Sequence, residues 1–179
     1  MSFWRALAIF SGLSVIMPLI TDICLPAIPD IARYYGVETG RIQQTISFLF
    51  FGAAFGQIVY GPLADRFGRK PVIVVTMLMF TVISFLTVYA ATPNSHSLAR
   101  FLQGTTGAGG MIIVRAIIRD LYDGAFSTKM FAYTMVGSSL MPIVAPIVGG
   151  HVTELLGWKP NFFIIAGFGL VLTLSLVFW

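Results

Sequence analysis

The sequence predicts an all-α membrane protein, with six transmembrane helices arranged as a 3+3 inverted repeat. Three observations carry this prediction. First, 57% of the residues are hydrophobic and 10% charged, where a soluble domain carries about 25% charged residues. Second, the apolar residues fall into six blocks, at 5–27, 42–63, 72–91, 97–118, 129–150 and 161–179. About 20 apolar residues cross a bilayer core, so each block is read as a span. Third, a short motif recurs at a fixed offset, once in each half.

The first span has Arg5 ahead of its apolar run, as a signal peptide would. The run is too long for one and leaves through "CLPAIPD" instead of a small-residue cleavage site. It stays as a helix. Cys24 is the single cysteine, so an internal disulfide is excluded and a buried apolar role is expected. Spans two and three flank "GPLADRFGRKP" (61–71), spans five and six flank "GHVTELLGWKP" (150–160). Both read G-x-x-x-[D/E]-x-x-G-x-K-P. Gly61/Gly150, Asp65/Glu154, Gly68/Gly157, Lys70/Lys159 and Pro71/Pro160 all match at an offset of 89 residues (150 less 61). Three helices are an odd number, so the two triplets cross the membrane in opposite directions. Helix punctuation alone, with Gly ending one helix and Pro starting the next, is a competing explanation of the motif.

Charge sets the expected orientation. One set of connections holds Arg5, Arg66, Arg69, Lys70, Arg115, Arg119 and Lys129; the other holds Arg33, Arg41 and Lys159. Lys and Arg concentrate on the cytoplasmic side, which places the N-terminus there. The basic pI of about 9.5 therefore reports topology, and a nucleic-acid partner is not expected. His96 and His151 fall at span ends, and "HVTE" has no second histidine at ligand spacing. No metal, cofactor or enzymatic activity is expected.

Residues 61–71 resemble the helix 2–3 signature of the major facilitator superfamily, through Gly61, Leu63, Ala64, Asp65, Arg66, Gly68, Arg69 and Lys70. Asp65 and Arg69 stand at i, i+4, where they can pair on a helix. The resemblance implies that this segment latches two halves of a transporter. "RFLQG" (100–104) is similar to the family's helix 4 signature, through Arg100, Gln103 and Gly104. "MPIVAPIVGG" (141–150) is similar to its helix 5 antiporter signature through Pro146, Gly149 and Gly150, with Met141 and Ala145 replacing two glycines. Its second proline, Pro142, together with "DICLPAIP" on helix 1, resembles the bicyclomycin/chloramphenicol resistance branch. Those proteins are twelve-helix drug:proton antiporters of the bacterial cytoplasmic membrane. The resemblance thus implies multidrug efflux, with one half of the fold in this chain. Its implied partners are the lipid bilayer, protons, a small amphipathic or cationic drug-like substrate, and a missing C-terminal six-helix half or a second copy. A truncated, non-transporting membrane-interaction protein is the alternative from another class.

Asp22 poses the sharpest question, because a carboxylate inside a span costs about 2.5–3.5 kcal/mol on insertion scales. Three roles compete: reaching interfacial water, pairing with a buried cation, or titrating on a proton path. With 1.5 Å per residue, Asp22 lies roughly 9 Å and Arg100 roughly 10–12 Å outside the midplane. The two charges are level, so the expectation is a proton-coupling or substrate site in which Arg100 partners Asp22. Gln103 and Gln57 are expected beside it, with helix–helix hydrogen bonding an equal explanation for both. The Pro142, Pro146, Gly149 and Gly150 cluster predicts a bent fifth span. Gly52 and Gly56, with Gly104, Gly107, Gly109 and Gly110, are expected to bring backbones together.

Overall fold

The computed structural model describes residues 3–178, which form seven α-helices. These are α1 (Phe3–Asp22), α2 (Ile28–Tyr35), α3 (Thr39–Phe67), α4 (Arg69–Thr87), α5 (Pro93–Leu121), α6 (Gly124–Leu156) and α7 (Lys159–Val177). All but the short α2 are long and apolar enough to cross a membrane. The six expected spans are therefore present, three of them several residues longer than their apolar blocks.

The first span needs correction. It was expected to run to residue 27, but α1 stops at Asp22. Pro26 has no N–H and disfavours helical backbone at Leu25. The chain instead makes tighter turns, with Leu25 N–H donating to the Asp22 carbonyl and Ala27 N–H to Cys24. Pro29 then starts α2, which ends at Gly36 in the left-handed conformation (φ 64°). The buried face of α2 carries Ile28, Ile31 and Ala32. Burying an isoleucine away from water contributes about 1.5–3 kcal/mol, enough to hold eight residues against the end of the bundle. We call this the α2 end, and the opposite one, with the α3–α4 and α5–α6 connections, the basic end.

The repeated motif has a structural basis. Gly68 (φ 91°) and Gly157 (φ 81°) both sit at positive φ, where a side chain would be strained. Each joins two helices, and Pro71 and Pro160 follow in the first turns of α4 and α7. The principal helix contacts follow the repeat too. Exchanging the triplets turns the α3–α5 contact into α6–α1 and maps α4–α7 onto itself, and all three are extensive.

The α3–α5 contact is backbone against backbone. A Cβ on Gly104 would stand 1.9 Å from the Leu49 carbonyl oxygen, and one on Gly52 equally close to that of Phe101. Lipid is as apolar as leucine, so close approach replaces hydrophobic burial as the adhesive between spans. The helix expected to bend, α6, runs unbroken through Pro142 and Pro146. It is also the least buried span, with Val136, Leu140, Ile143 and Ile147 exposed.

Candidate functional site

Arg100 is the largest fully buried side chain among the described residues. It lies on α5, two turns from the Thr92 capping box that starts the helix. Its Nη1 donates to Gln103 Oε1 at 2.6 Å, and its Nη2 to the Ile20 carbonyl at 2.9 Å. Gln103, also buried, passes the chain on by donating Nε2 to Ser84 Oγ of α4 at 2.9 Å. The guanidinium carbon stands 5.7 Å from the centre of the Phe162 ring on α7. Cys24 lies against the same guanidinium. One cation thus ties α1, α4, α5 and α7 together.

The expected ion pair is absent. Among the described residues Asp22 has no salt bridge and no side-chain hydrogen bond. The cause lies in where α1 stops. The last carbonyls of a helix have no intrahelical partner, and together they form the negative end of its dipole. Because α1 ends at Asp22, the Ile20 carbonyl is available to the guanidinium. Arg100 is neutralised by a helix terminus instead of a carboxylate. The same bond fixes the turn that carries Asp22. On the other side of that turn, a Cβ on Gly149 would stand 2.0 Å from the Ile23 carbonyl, so α6 presses on it directly.

Asp22 itself is only partly buried. It continues a stripe with Ser14 and Pro18, spaced four residues apart and so on one side of α1. Ser14 and Pro18 line a cavity of about 160 Å³ between α1, α5 and α6, together with Met111, Arg115, Met135 and Ser138. Asp22 stands one turn beyond Pro18, toward the α2 end. Ser138 Oγ donates to the Ser14 carbonyl across this space at 3.2 Å. Apolar walls, two thioethers, a few hydroxyls and the Arg115 cation suit an amphipathic molecule.

The second charged cluster lies at the basic end. Arg69 Nη1 meets Asp65 Oδ1 at 2.8 Å, the i, i+4 pair read from the sequence, and Arg69 Nε donates to Asp120 Oδ2 at 3.1 Å. Arg66 lies over the Phe67 ring at 5.2 Å. Gly61 has open space where a side chain would go, and Lys70 is exposed.

The structure brings Arg100 and Gln103 together and places Asp22 near their level without a bond. It does not bring in Gln57, which is exposed on α3, off the glycine face that meets α5. Pro142 is exposed, whereas Gly149 is buried against α1 and Pro146 and Gly150 are intermediate. Sequence reasoning missed Ser84, Phe162, the Ile20 carbonyl and Asp120. A lone serine in an apolar span and Pro26 after Asp22 were the available signals for two of them.

The family model of the Major Facilitator Superfamily matches residues 8–179. The chain belongs to this superfamily. A bicyclomycin resistance protein homolog from Haemophilus influenzae is 32% identical over 93% of the chain and 42% of its own length. An uncharacterized MFS-type transporter, YdgK of Bacillus subtilis, is 35% identical over 96% of the chain and 44% of its own length. Multidrug resistance protein D of Escherichia coli is 30% identical over 88% and 40%. The chain spans less than half the length of these relatives. With six apolar helices and this family, it is a multi-pass membrane protein of a transporter superfamily. The relatives named for bicyclomycin and multidrug resistance are those to which the helix 1 and helix 5 motifs pointed.

Proposed function

We propose that this chain is the N-terminal half of a proton-driven exporter of small amphipathic or cationic drug-like molecules, with Asp22 as its coupling acid. The observation that carries this reading is a partly buried carboxyl group, one helical turn beyond the cavity-lining Pro18 and without a partner among the described residues. Nothing in helix packing requires an acid there, since leucine would serve better. A relative named for multidrug resistance aligns along most of the chain, in keeping with such a substrate.

In this mechanism the basic end faces the cytoplasm, because it gathers most of the Lys and Arg residues. Asp22 then lies toward the outside, where protons are supplied. Arg100 holds the last turn of α1 through the Ile20 carbonyl and so fixes the turn that carries Asp22. A cationic substrate rising from the cytoplasm competes with the proton for the carboxylate, and the competition couples the two flows. Each inward proton supplies about 2.3 kcal/mol per 100 mV of membrane potential. The second half of the transporter provides the facing wall of the cavity, with the Asp65–Arg69–Asp120 cluster as the cytoplasmic latch against it.

The test is proton-driven efflux from proteoliposomes containing the full-length transporter. Asp22→Asn abolishes it, while substrate binding persists in weakened form and no longer depends on pH. Undiminished efflux by the Asn variant would refute the assignment.

A further inference from the structure

The α2 end carries a second buried ionisable group that the exporter mechanism leaves unused. His96 lies one turn before Arg100 on α5. It is 1% exposed, and its Nδ1 has no hydrogen-bond partner among the described residues. Three rings enclose it: Tyr35 of α2 at 5.8 Å, Trp158 before α7 at 6.0 Å and Phe162 of α7 at 5.5 Å between centroids. Phe162 is the ring that also faces the Arg100 guanidinium. Tyr35 Oη donates to the Ala90 carbonyl at 2.7 Å, so α2 is fastened across the α4–α5 connection. Through Phe162 this aromatic cap adjoins Arg100.

We propose that His96 is a proton-binding latch of this cap, so that acid on the α2 side releases α2. Resting on the orientation given above, that side is the outside of the cell. A closed cap and a protonated ring exclude one another. Residues four apart on a helix lie about 6 Å apart at their Cβ atoms, so a protonated imidazole would be a second buried cation beside Arg100. Arg100 is the ionisable group that acts on the His96 ring, and the side chains around that ring offer it no carboxylate. Tyr34 and Tyr35 of α2 are phenols, Cys24 of the α1–α2 turn already lies against Arg100, and Lys159 of α7 adds a further cation over Tyr34. Asp30, the carboxylate of α2, is engaged by Arg33. The closed cap therefore holds only the neutral ring, and a lifted cap exposes Nδ1 to water and to protons. A proton that binds the open form alone shifts the population toward it. Histidine is the side chain suited to do this at moderately acid pH.

The experiment follows Trp158, one of three tryptophans, in the chain reconstituted in lipid nanodiscs with Trp4→Phe and Trp179→Phe. Acrylamide quenching of Trp158 fluorescence is expected to rise severalfold as pH falls from about 8 to about 5, and to reverse. Adding His96→Phe, which fills the cage without a titratable group, keeps quenching low throughout. Amide hydrogen exchange of α2 in the unsubstituted chain supplies a readout that needs no variant. After correction for the intrinsic pH effect, exchange of its amides accelerates in acid. Flat quenching and flat exchange would overturn the proposal, as would a pH response retained by His96→Phe. Asp22 and transport play no part in these readouts, so the cap and the exporter mechanism fail separately.

Discussion

Two arginines in this molecule face the same electrostatic problem and solve it in opposite ways. Arg69, partly exposed at the basic end, sits between two carboxylates, Asp65 and Asp120. Arg100, buried among four helices, meets no carboxylate among the described residues and takes an amide, a helix-end carbonyl and a ring face. The difference follows from water. At the basic end all three charges remain partly solvated, so pairing them costs little and contributes little. In the interior a second charge would add its own desolvation penalty, whereas the end of α1 offers partial negative charge already in place. The comparison shows why two level charges need not meet: the cheaper counter-charge was the end of a helix.

Each prediction tests one side of that contrast. The largest effect is expected from Arg100→Lys, which keeps the charge but cannot reach Gln103 and Ile20 together. It should lower stability by about 1.5–3 kcal/mol, measured by unfolding in mixed micelles, with no dependence on salt. Gly104→Ala drives a methyl into the Leu49 carbonyl and shifts the helix that carries Arg100. A loss of about 1–3 kcal/mol is expected, and an unchanged midpoint would break the argument for close α3–α5 approach.

Tyr35→Phe removes the bond that fastens α2, for about 1 kcal/mol. Burial, with Tyr34 adding, pushes the Tyr35 phenol up to about 12 from an ordinary 10. The folded value is the higher one, so this contribution is complete below pH 10 and is lost as pH rises through about 12. The Phe variant should lack that alkaline loss, read from the pH dependence of unfolding. The smallest effect belongs to Asp120→Asn at the exposed cluster. It should cost about 0.2–1 kcal/mol at low salt and nothing measurable once salt screens the pair. A salt-dependent Arg100 or a salt-independent Asp120 would reverse the comparison.

The six spans were legible because bilayer thickness sets a minimum apolar length, and the Asp65–Arg69 pair because helix spacing alone decides it. The positive-φ glycines at 68 and 157 were legible as a repeat, although their turn geometry was not. The Asp22–Arg100 relation was misread because helical rise gives depth and says nothing of direction around the axis. The Pro26 stop was visible in the sequence, but the continuous apolar run "ICLPAI" concealed it, and with it the free Ile20 carbonyl. Asp120 meets Arg69 across 51 residues, and Gln57 points away from the glycine stripe beside it. The first fact does not follow from local spacing, whereas the second does, because adjacent residues on a helix never share a face.

The most direct test of Asp22 as the coupling acid is proton release from the purified full-length transporter in weakly buffered detergent solution. Adding a cationic substrate should expel protons in proportion to the substrate bound, and Asp22→Asn should bind substrate while expelling none. Equal release from the Asn variant would place the exchangeable proton on another group and contradict the account.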